Sequence, residues 1–480
     1  RVNSSGLVET VELLGSEEIV NGDFATDSDW SKATGVTISG GNAIFNNSTA
    51  NNNGIYQGTV FQANTQYKIT AEVSNYSSGN VTAWSGASQN SASNESFTGN
   101  GIKTWIISTG ASNGYFILSS ATTNGNFNID NISVKESTKN NLARVDYDGT
   151  ASSLLVEPER TNLVTYSEDF SQSYWTKQEV LITSNATSSP SGDVNASKII
   201  PTSVSSTHQL SKISLISSQV CTMSVYAKEG GLSTFNFLDG DNGYHGSIFD
   251  LSDGTFTNQG TGVGSIENMG NGWYRCIVTV ETTGYRLYIP NSSSTYTGND
   301  VDGIYIFGAQ CEVGSYPTSY IPTDGGTVTR VQDQYSKTGI SNLINSEEGV
   351  LFLEIAALSN DLSYRRISLN DSSVNNKVGI SYDDVSNRIR GQVVIGGVNI
   401  FLFFTSTDIT EYSKIALKYK ANDFALWVDG FERDTDISAG IFPSDTLNNL
   451  SFDNGGGGNN FFGKVKQLQI FKTTDIDLAA

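Results

Sequence analysis

The sequence predicts an all-β protein: three β-sandwich (jelly-roll) domains in tandem, two of them related and the third of a different type. Polar and apolar residues alternate with the period of a β-strand in many short segments, such as Tyr67 to Val73 and Cys221 to Ala227. Turn-forming segments rich in Gly, Asn, Asp and Ser separate these runs, which is typical of sandwiches. A helical apolar period never extends beyond two turns.

The length and composition agree with this class. The 480 residues suffice for about three domains of ~150 residues. Tyr (21) and Phe (23) are abundant, and aromatic residues suit half-buried strands. Only two histidines are present, which excludes a multi-histidine metal site and weakens the case for a Ser-His-Asp hydrolase.

The formal charge of −21 argues against two classes of partner. Nucleic acids and anionic membrane surfaces both require Lys and Arg, so we expect neither nucleic-acid binding nor membrane association. The longest apolar stretch, Val398 to Phe404, is too short to span a bilayer. Because the chain opens with Arg1, we expect it to be a piece of a longer one, from which a signal peptide could be missing.

The three cysteines, Cys221, Cys276 and Cys311, lie in or directly after apolar alternating runs. Their odd number and wide spacing argue against a disulfide framework or a zinc site. We therefore expect buried, free thiols in small core positions, which fits assembly in a reducing cytoplasm.

An internal repeat relates the first two domains. Each copy opens with Asp-Phe and a nearby Trp, continues through an alternating strand and a tryptophan strand, and closes with an apolar strand. The paired landmarks are Phe24 and Phe170, Trp30 and Trp175, Trp105 and Trp273, and the closing segments 127–134 and 304–311. The same order in both copies predicts one sandwich repeated twice, with these four tryptophans in its cores.

The third domain lacks the Asp-Phe and Trp opening. The predicted division is a lead-in segment 1–16, a first sandwich 17–137, a linker 138–162, a second sandwich 163–323, a linker 324–348 and a third sandwich 349–480. Both linkers are predicted from their polar, charged and Pro- or Gly-containing composition.

The strongest family resemblance lies in the second domain. The run Leu154-Leu155-Val156-Glu157-Pro158-Glu159-Arg160-Thr161-Asn162-Leu163 leads to Phe170, and the far end reads Phe307 to Glu312 and then Thr318 to Thr323. These motifs resemble a module of tail-fibre and other virion structural proteins of tailed bacteriophages. The resemblance implies a virion location after assembly in the host cytoplasm, other virion proteins as partners, and a homotrimer. Cys311 stands where such sequences usually have Leu.

The first domain looks like a carbohydrate-binding-module jelly roll inserted between the lead-in and the second domain. The resemblance rests on Asn21-Gly22-Asp23-Phe24 and Ile129-Asp130-Asn131-Ile132. It implies a structural Ca²⁺ with Asp23 and Asp130 as ligands. In the alternative, Asp23 caps a turn and Asp130 is an edge residue.

The third domain resembles a concanavalin A-like, laminin-G-type sandwich, on Asp423-Phe424-Ala425-Leu426-Trp427-Val428-Asp429-Gly430 and Gly463-Lys464-Val465. Enzymes of that fold can carry a Glu-x-Asp-x-x-Glu strand with paired carboxylates, and this chain has no such run. Its acidic pairs lie in turn-like contexts: Glu347-Glu348, Asp383-Asp384 and Asp434/Asp436. We therefore expect a protein without enzymatic activity.

Sugar binding needs aromatic faces for stacking and amides or carboxylates for hydroxyl groups. Trp84 lies in a polar run, Tyr244 follows a turn rich in Asp and Gly (239–243), and Asp453-Asn454 precede four glycines. The alternatives are a Trp84 packed on its own loop and a flexible glycine loop tip. The 239–243 turn imitates a calcium loop but lacks a distal Glu.

Three functions follow from these observations. The leading hypothesis is a phage tail fibre or surface appendage that attaches to host-surface glycans. The second is a set of carbohydrate-binding modules in a secreted bacterial polysaccharide hydrolase or adhesin, and the third is a structural virion spacer. The stretch Ile400 to Phe404, apolar on both strand faces, is predicted to be either a fully buried core strand or a strand that lends its outer face to a trimer.

Overall fold

The computed structural model describes residues 1–9, 11–48, 54–86, 93–112, 114–120, 124–138, 142–241, 244–290 and 295–478. Within these ranges the chain is all-β, as predicted, with one 3-10 turn at Ser341–Leu343. The described residues hold no helix with the length and apolarity needed to traverse a lipid bilayer. The chain forms two compact units, residues 11–142 and residues 1–10 with 143–480. The first sandwich is thus inserted between the lead-in and the rest.

The first sandwich packs two antiparallel sheets around one core. Its strands are β1 (Leu13–Glu17), β2 (Ser31–Lys32), β3 (Val36–Ser39), β4 (Asn42–Ser48), β5 (Gly54–Phe61), β6 (Gln66–Ser78), β7 (Val81–Gly86), β8 (Ser93–Phe97), β9 (Gly101–Ser108), β10 (Gly114–Ser120) and β11 (Gly125–Thr138). One sheet has the order β3-β4-β11-β6-β9, with β1 paired to β11, and the other β2-β5-β10-β7-β8. The alternation from Tyr67 to Val73 places every second residue of β6 in the core, as predicted.

Two short strands follow, and the second sandwich repeats the first. The next strands are β12 (Arg144–Asp148), β13 (Ala151–Val156), β14 (Arg160–Asn162), β15 (Thr176–Gln178), β16 (Val180–Thr187), β17 (Ala196–Pro201), β18 (Gln209–Lys212), β19 (Gln219–Gly230), β20 (Thr234–Asp239), β21 (Gly246–Asp250), β22 (Thr255–Gln259), β23 (Val263–Gly270), β24 (Trp273–Thr282), β25 (Tyr285–Tyr288) and β26 (Gly303–Val313). The second sandwich's sheets run β16-β17-β26-β19-β24-β23 and β15-β18-β25-β20-β21-β22. Both follow the strand order of the first sandwich, with one edge strand added to each sheet: β23 to the first and β22 to the second.

Matching contacts confirm the repeat. The Trp30 indole N–H donates to the Asn21 carbonyl at 2.8 Å, and the Trp175 indole N–H donates to the Tyr166 carbonyl at 3.1 Å, each nine residues back. The adjacent Phe24 and Phe170 rings lie 5.3 and 5.4 Å from their tryptophans. The sequence landmarks therefore mark one local structure that both sandwiches build.

The third sandwich takes strands from segments predicted as linkers. Its part of the chain contains β27 (Val328–Arg330), β28 (Ser336–Lys337), β29 (Glu348–Ala357), β30 (Arg365–Asn370), β31 (Lys377–Tyr382), β32 (Arg388–Ile395), β33 (Val398–Ser406), β34 (Ser413–Lys420), β35 (Phe424–Val428), β36 (Phe431–Asp436), β37 (Asn449–Ser451) and β38 (Gly463–Phe471). Its sheets run β12-β13-β38-β29-β34-β35-β36 and β28-β37-β30-β31-β32-β33, while β14 pairs with β27.

The segment 138–162 therefore differs from a simple linker. β13 pairs with β38, placing Leu154 opposite Val465, and Val156 is buried in the core of the third sandwich. Its apolar run Leu154-Leu155-Val156 supplies the side chains for this pairing. The segment 324–348 likewise contributes β27 and β28.

A buried ion-pair network occupies the motif that resembles phage virion proteins. The Glu157 carboxylate accepts hydrogen bonds from the Arg144 guanidinium and, at 2.7 Å, from the Ser319 backbone N–H. Arg330 lies 3.2 Å from the same carboxylate, and Asp333 also pairs with Arg144. The two arginines lower the pKa of Glu157 to about 2, against the opposing effect of its burial. These motif residues thus hold segments 142–160 and 318–334 together.

Two further expectations have clear outcomes. The three cysteines are free and buried, as predicted. The prediction of a fully buried Ile400–Phe404 strand is wrong, because β33 is the last strand of its sheet in the described chain. Phe401 lies in the core, whereas Phe404 is 43% exposed on the outer face beneath the Arg388 guanidinium.

Candidate functional site: the outer faces of the jelly-roll sheets

The best candidate site lies on the outer face of the five-stranded sheet of the first sandwich. Strand alternation sends Phe116 and Leu118 of the central strand β10 into the core. Their neighbours Tyr115, Ile117 and Ser119 therefore lie on the opposite face.

Register brings aromatic side chains together on this face. Ile117 pairs with Trp84 of β7 on one side and with Tyr56 of β5 on the other. The Tyr56 ring packs edge-to-face on Tyr115, with 6.1 Å between centroids. We call Tyr56, Trp84 and Tyr115 the aromatic face; all three are half-buried, whereas Ile117 between them is fully buried.

Hydroxyl groups border the aromatic face. The Trp84 indole N–H donates to the Ser119 hydroxyl at 2.7 Å, which fixes the ring against the sheet. Next to it, the hydroxyls of Thr82 and Ser96 are 2.6 Å apart. Ser119 and Thr82 are fully buried, so their hydroxyls hold this face in place, while the partly exposed rings provide a stacking surface of the kind that sugars require. Trp84 thus lies in a strand and bonds to its neighbour strand, rather than packing on its own loop.

The corresponding sheet of the second sandwich has a polar outer face. One register row runs Gln178, Gln209, Tyr288 and Asn236 across four strands. Gln209 donates to Gln178 at 2.6 Å. The buried Gln209 Oε1, Asn236 Oδ1 and Arg286 Nε atoms have no hydrogen-bond partner in the described structure. Polar atoms that are shielded from water and lack a hydrogen-bond partner reduce the stability of a fold.

Tyr244 lies outside these register rows. It is 70% exposed in the connection between β20 and β21. The preceding turn includes Asn242 and Gly243, which lie outside the described residues. The described carboxylates there bond locally: Asp239 accepts the His245 N–H at 3.1 Å, and Asp241 accepts the Thr283 hydroxyl.

Asp453 and Asn454 shape the glycine-rich loop between β37 and β38. The Asp453 carboxylate accepts the Gly455 N–H at 2.6 Å, and the Asn454 side-chain oxygen accepts the N–H groups of Gly456 and Gly458 at 2.9 and 3.1 Å. Both side chains therefore stabilise a loop tip, the alternative that the sequence left open.

Asp23 and Asp130 lie on segments that touch, because the Ile132 N–H donates to the Gly22 carbonyl at 2.9 Å. Asp23 is exposed and accepts the Ala25 N–H at 3.4 Å, while Asp130 accepts the N–H of Asn131 at 2.7 Å. In the described part of the chain, no group of three or more His, Cys, Asp or Glu side chains converges to form a metal site. Calcium therefore stays a prediction.

Comparisons with known proteins give similarity of fold only. No family model matches the chain, and no curated protein does. Among solved structures, the N-terminal CBM22-1-CBM22-2 tandem of Paenibacillus barcinonensis Xyn10C is similar at 12% identity and TM-score 0.23, over 64% of this chain and 100% of that one. Domains LG4-5 of the mouse laminin α1 chain are similar at 12% identity and TM-score 0.22, over 70% of this chain and 96% of theirs.

Sequence reasoning found Trp84 but missed its partners. Tyr56 and Tyr115 come from two other strands, 28 and 31 residues away. Identifying them requires the pairing register between strands. The alternation of residues within a single strand does not give that register.

Proposed function

We propose that this chain is a non-enzymatic glycan-binding protein of a tailed-phage virion, part of a tail fibre or another surface appendage that attaches to host glycans. The aromatic face of the first sandwich is the observation that supports glycan binding most. Tyr56, Trp84 and Tyr115 keep partly exposed rings on an outer sheet face, and the buried Ser119 hydroxyl fixes the Trp84 ring.

The polar face of the second sandwich supports the same reading. Its buried Gln209, Asn236 and Arg286 side chains each have a polar atom without a partner in the described structure. Hydroxyl groups of a sugar both donate and accept, so they would satisfy amide oxygens and a guanidinium N–H alike. Weak sites on two repeated sandwiches would also bind a repeating glycan with increased avidity.

The non-enzymatic part of the proposal rests on what the acidic pairs do. Glu348 pairs with Lys420 at 2.6 Å, and Asp383 and Asp384 both pair with Arg388. Asp434 and Asp436 lie in strand β36 instead of the expected turn, and they accept the backbone N–H groups of Thr435 and Ser438. These carboxylates have structural roles instead of flanking a bond to be cleaved.

The virion context rests on the resemblance of the second-sandwich motifs, which implies other virion proteins as partners and a homotrimer. The structure gives these motifs a folding role through Glu157 and its arginines. The proposed location is the virion, after assembly in the host cytoplasm.

Two other functions stay open. A secreted bacterial polysaccharide hydrolase or adhesin would use the same sandwiches as binding modules, and the full gene would then encode a signal peptide. A structural spacer does not require partly exposed aromatic rings or buried amides without hydrogen-bond partners. The outer sheet faces of the first and second sandwiches therefore favour a binding protein over a spacer.

Two measurements test the proposal. A glycan array probed with the full chain should show binding to a restricted set of bacterial surface glycans, and an array without binding would contradict it. Mass spectrometry of purified virions from the source phage should find the chain in intact particles. Its presence only in a secreted bacterial fraction would favour the alternative.

A further inference from the structure

The outer face of the six-stranded sheet of the third sandwich carries a cluster of cationic residues. Alternate residues Ile367, Leu369, Val378 and Ile380 of β30 and β31 point into the core, so the residues between them lie outside. In the strand register, Arg366 of β30 lies opposite Ser381 of β31, which in turn lies opposite Arg390 of β32. Four residues along β31, Lys377 lies opposite Asn370 of β30. The register therefore places three cationic residues of three strands on one face.

Gly379 lies between these rows, and its missing side chain lets the Arg366 side chain cross above it. A Cβ atom added at Gly379 would lie 3.1 Å from Cδ of Arg366, so the Arg366 side chain runs over this glycine. We call Arg366, Lys377, Gly379 and Arg390 the cationic face. It extends roughly 13 Å along β31 from Ser381 to Lys377, at the rise of a β-strand.

The three cations have no anionic partner within the described chain. Arg366 and Lys377 are only 4% and 6% exposed, and none of the three forms an ion pair with a described carboxylate. The Nε atoms of Arg366 and Arg390 are buried without a hydrogen-bond partner. Asp383, whose charge acts to raise the pKa of Arg366, pairs at 2.9 Å with Arg388.

Mutual repulsion makes this arrangement costly. Burial, together with the charges of Arg366 and Arg390, lowers the pKa of Lys377 to about 8. Burial and Arg390 lower the pKa of Arg366 to about 10. In a chain of net charge −21, acidic side chains are plentiful, yet none within the described ranges is paired with these cations. An external anion would offset both the burial and the repulsion.

We propose that the cationic face binds an acidic polysaccharide, one whose sugar units carry carboxylate or sulfate groups. The groups around the cations match a saccharide better than a free ion. Ser381 and Gln392 lie on the same face, and the buried Gln392 Oε1 has no partner in the described structure. The partly exposed rings of Tyr364 and Phe404 lie 5.9 and 5.7 Å from the Arg390 guanidinium and offer stacking surfaces at one end.

This inference rests on the proposed glycan-binding function and adds a ligand class at a separate site. The test is isothermal titration calorimetry of the full chain with oligosaccharides of matched length: an oligogalacturonate, a heparin-derived oligosaccharide and a neutral maltooligosaccharide. Inorganic sulfate is titrated separately. We expect one or both acidic oligosaccharides to bind, the neutral one not to bind, and affinity to fall as ionic strength rises.

The variants are Arg366→Gln and Arg390→Gln, with Arg433→Gln as the matched control, because Arg433 is exposed on β36 of the other sheet. We expect each of the first two to weaken acidic-oligosaccharide binding tenfold or more, and the control to change it less than twofold. Because the first two relieve repulsion, their melting temperatures should stay level or rise, which separates lost binding from lost folding.

Three results would overturn the proposal: equal binding of neutral and acidic oligosaccharides, unchanged affinity in Arg366→Gln and Arg390→Gln, or inorganic sulfate binding as tightly as the oligosaccharide, which would indicate an adventitious ion only. The test is independent of the first sandwich, because a Trp84 variant leaves the cationic face intact. Loss of one site without the other therefore shows which proposal has failed.

Discussion

Glu157 is the central carboxylate of the buried ion-pair network in the second-sandwich motif. Its carboxylate is buried between Arg144 and Arg330, and it accepts the Ser319 N–H. Removing one charge from such a cluster leaves the others buried without compensation, which typically costs about 3–5 kcal/mol.

The first prediction is that Glu157→Gln destabilises the chain by roughly 3 kcal/mol. Differential scanning calorimetry of the full chain measures the effect. The matched control is Glu159→Gln, whose side chain is exposed two residues away and should change stability by less than about 0.5 kcal/mol. Equal melting curves for the two variants would contradict the role given to Glu157.

The same residue predicts a pH dependence. Because the folded pKa of Glu157 is about 2, below its ordinary value of 4.5, its contribution is present above pH 4.5 and is lost as the pH falls toward 2. Burial raises the pKa of Asp333 above its ordinary value of 3.8, so its ionisation opposes folding and this penalty is relieved as the pH falls. The measurement is the free energy of unfolding as a function of pH, for the unsubstituted chain and for Glu157→Gln. Asp333 is present in both, so the smaller loss of stability at acidic pH expected for the variant reports Glu157.

The second prediction concerns calcium at Asp23 and Asp130. If both bind Ca²⁺, chelation should raise hydrogen exchange in β6 and β11 of the first sandwich, and Asp130→Asn should abolish that response. Calcium at 100 times its Kd would stabilise the site by about 2.7 kcal/mol. Exchange that is indifferent to both EDTA and added calcium would rule the site out.

At the scale of elements, the sequence predicts strands well and their partners poorly. Alternation locates β6, β19, β29 and β34 because each has one face in a core. The cationic face was missed because Arg366, Lys377 and Arg390 are 11 and 13 residues apart and meet only through strand pairing. β12 and β13 were assigned to a linker because composition does not show which sheet a short strand joins.

The third prediction tests the assignment of β13 to the third sandwich. Val156 is fully buried in that core, so Val156→Ala should cost about 2 kcal/mol. Hydrogen exchange followed by mass spectrometry should then rise in β29 and β38 and stay unchanged in β19 and β26. The exposed Ala151→Gly, in the same strand, is the control. A rise confined to β19 and β26 would show that β13 belongs to the second sandwich.

At the scale of the whole molecule, the charge of −21 opposes close association of copies. The fourth prediction is nonetheless a homotrimer, because avidity through several weak sites suits a surface appendage. We expect the contact to include the half-buried Leu402 on the outer face of the edge strand β33. Sedimentation of the full-length protein should show trimers whose association strengthens as the salt concentration rises. A monomer at micromolar concentration would contradict this prediction.

Glycan binding by the first sandwich is tested by comparing the affinities of the unsubstituted chain and two variants. The affinity of the full chain for a glycan selected on the array is compared with that of Trp84→Ala and of Phe431→Ala, a control with an exposed ring on β36 of the third sandwich. We expect Trp84→Ala to weaken binding at least tenfold, a loss of about 1.4 kcal/mol or more. The control Phe431→Ala should keep its melting temperature and bind within twofold of the unsubstituted chain. Unchanged affinity in a folded Trp84→Ala protein would contradict the central claim.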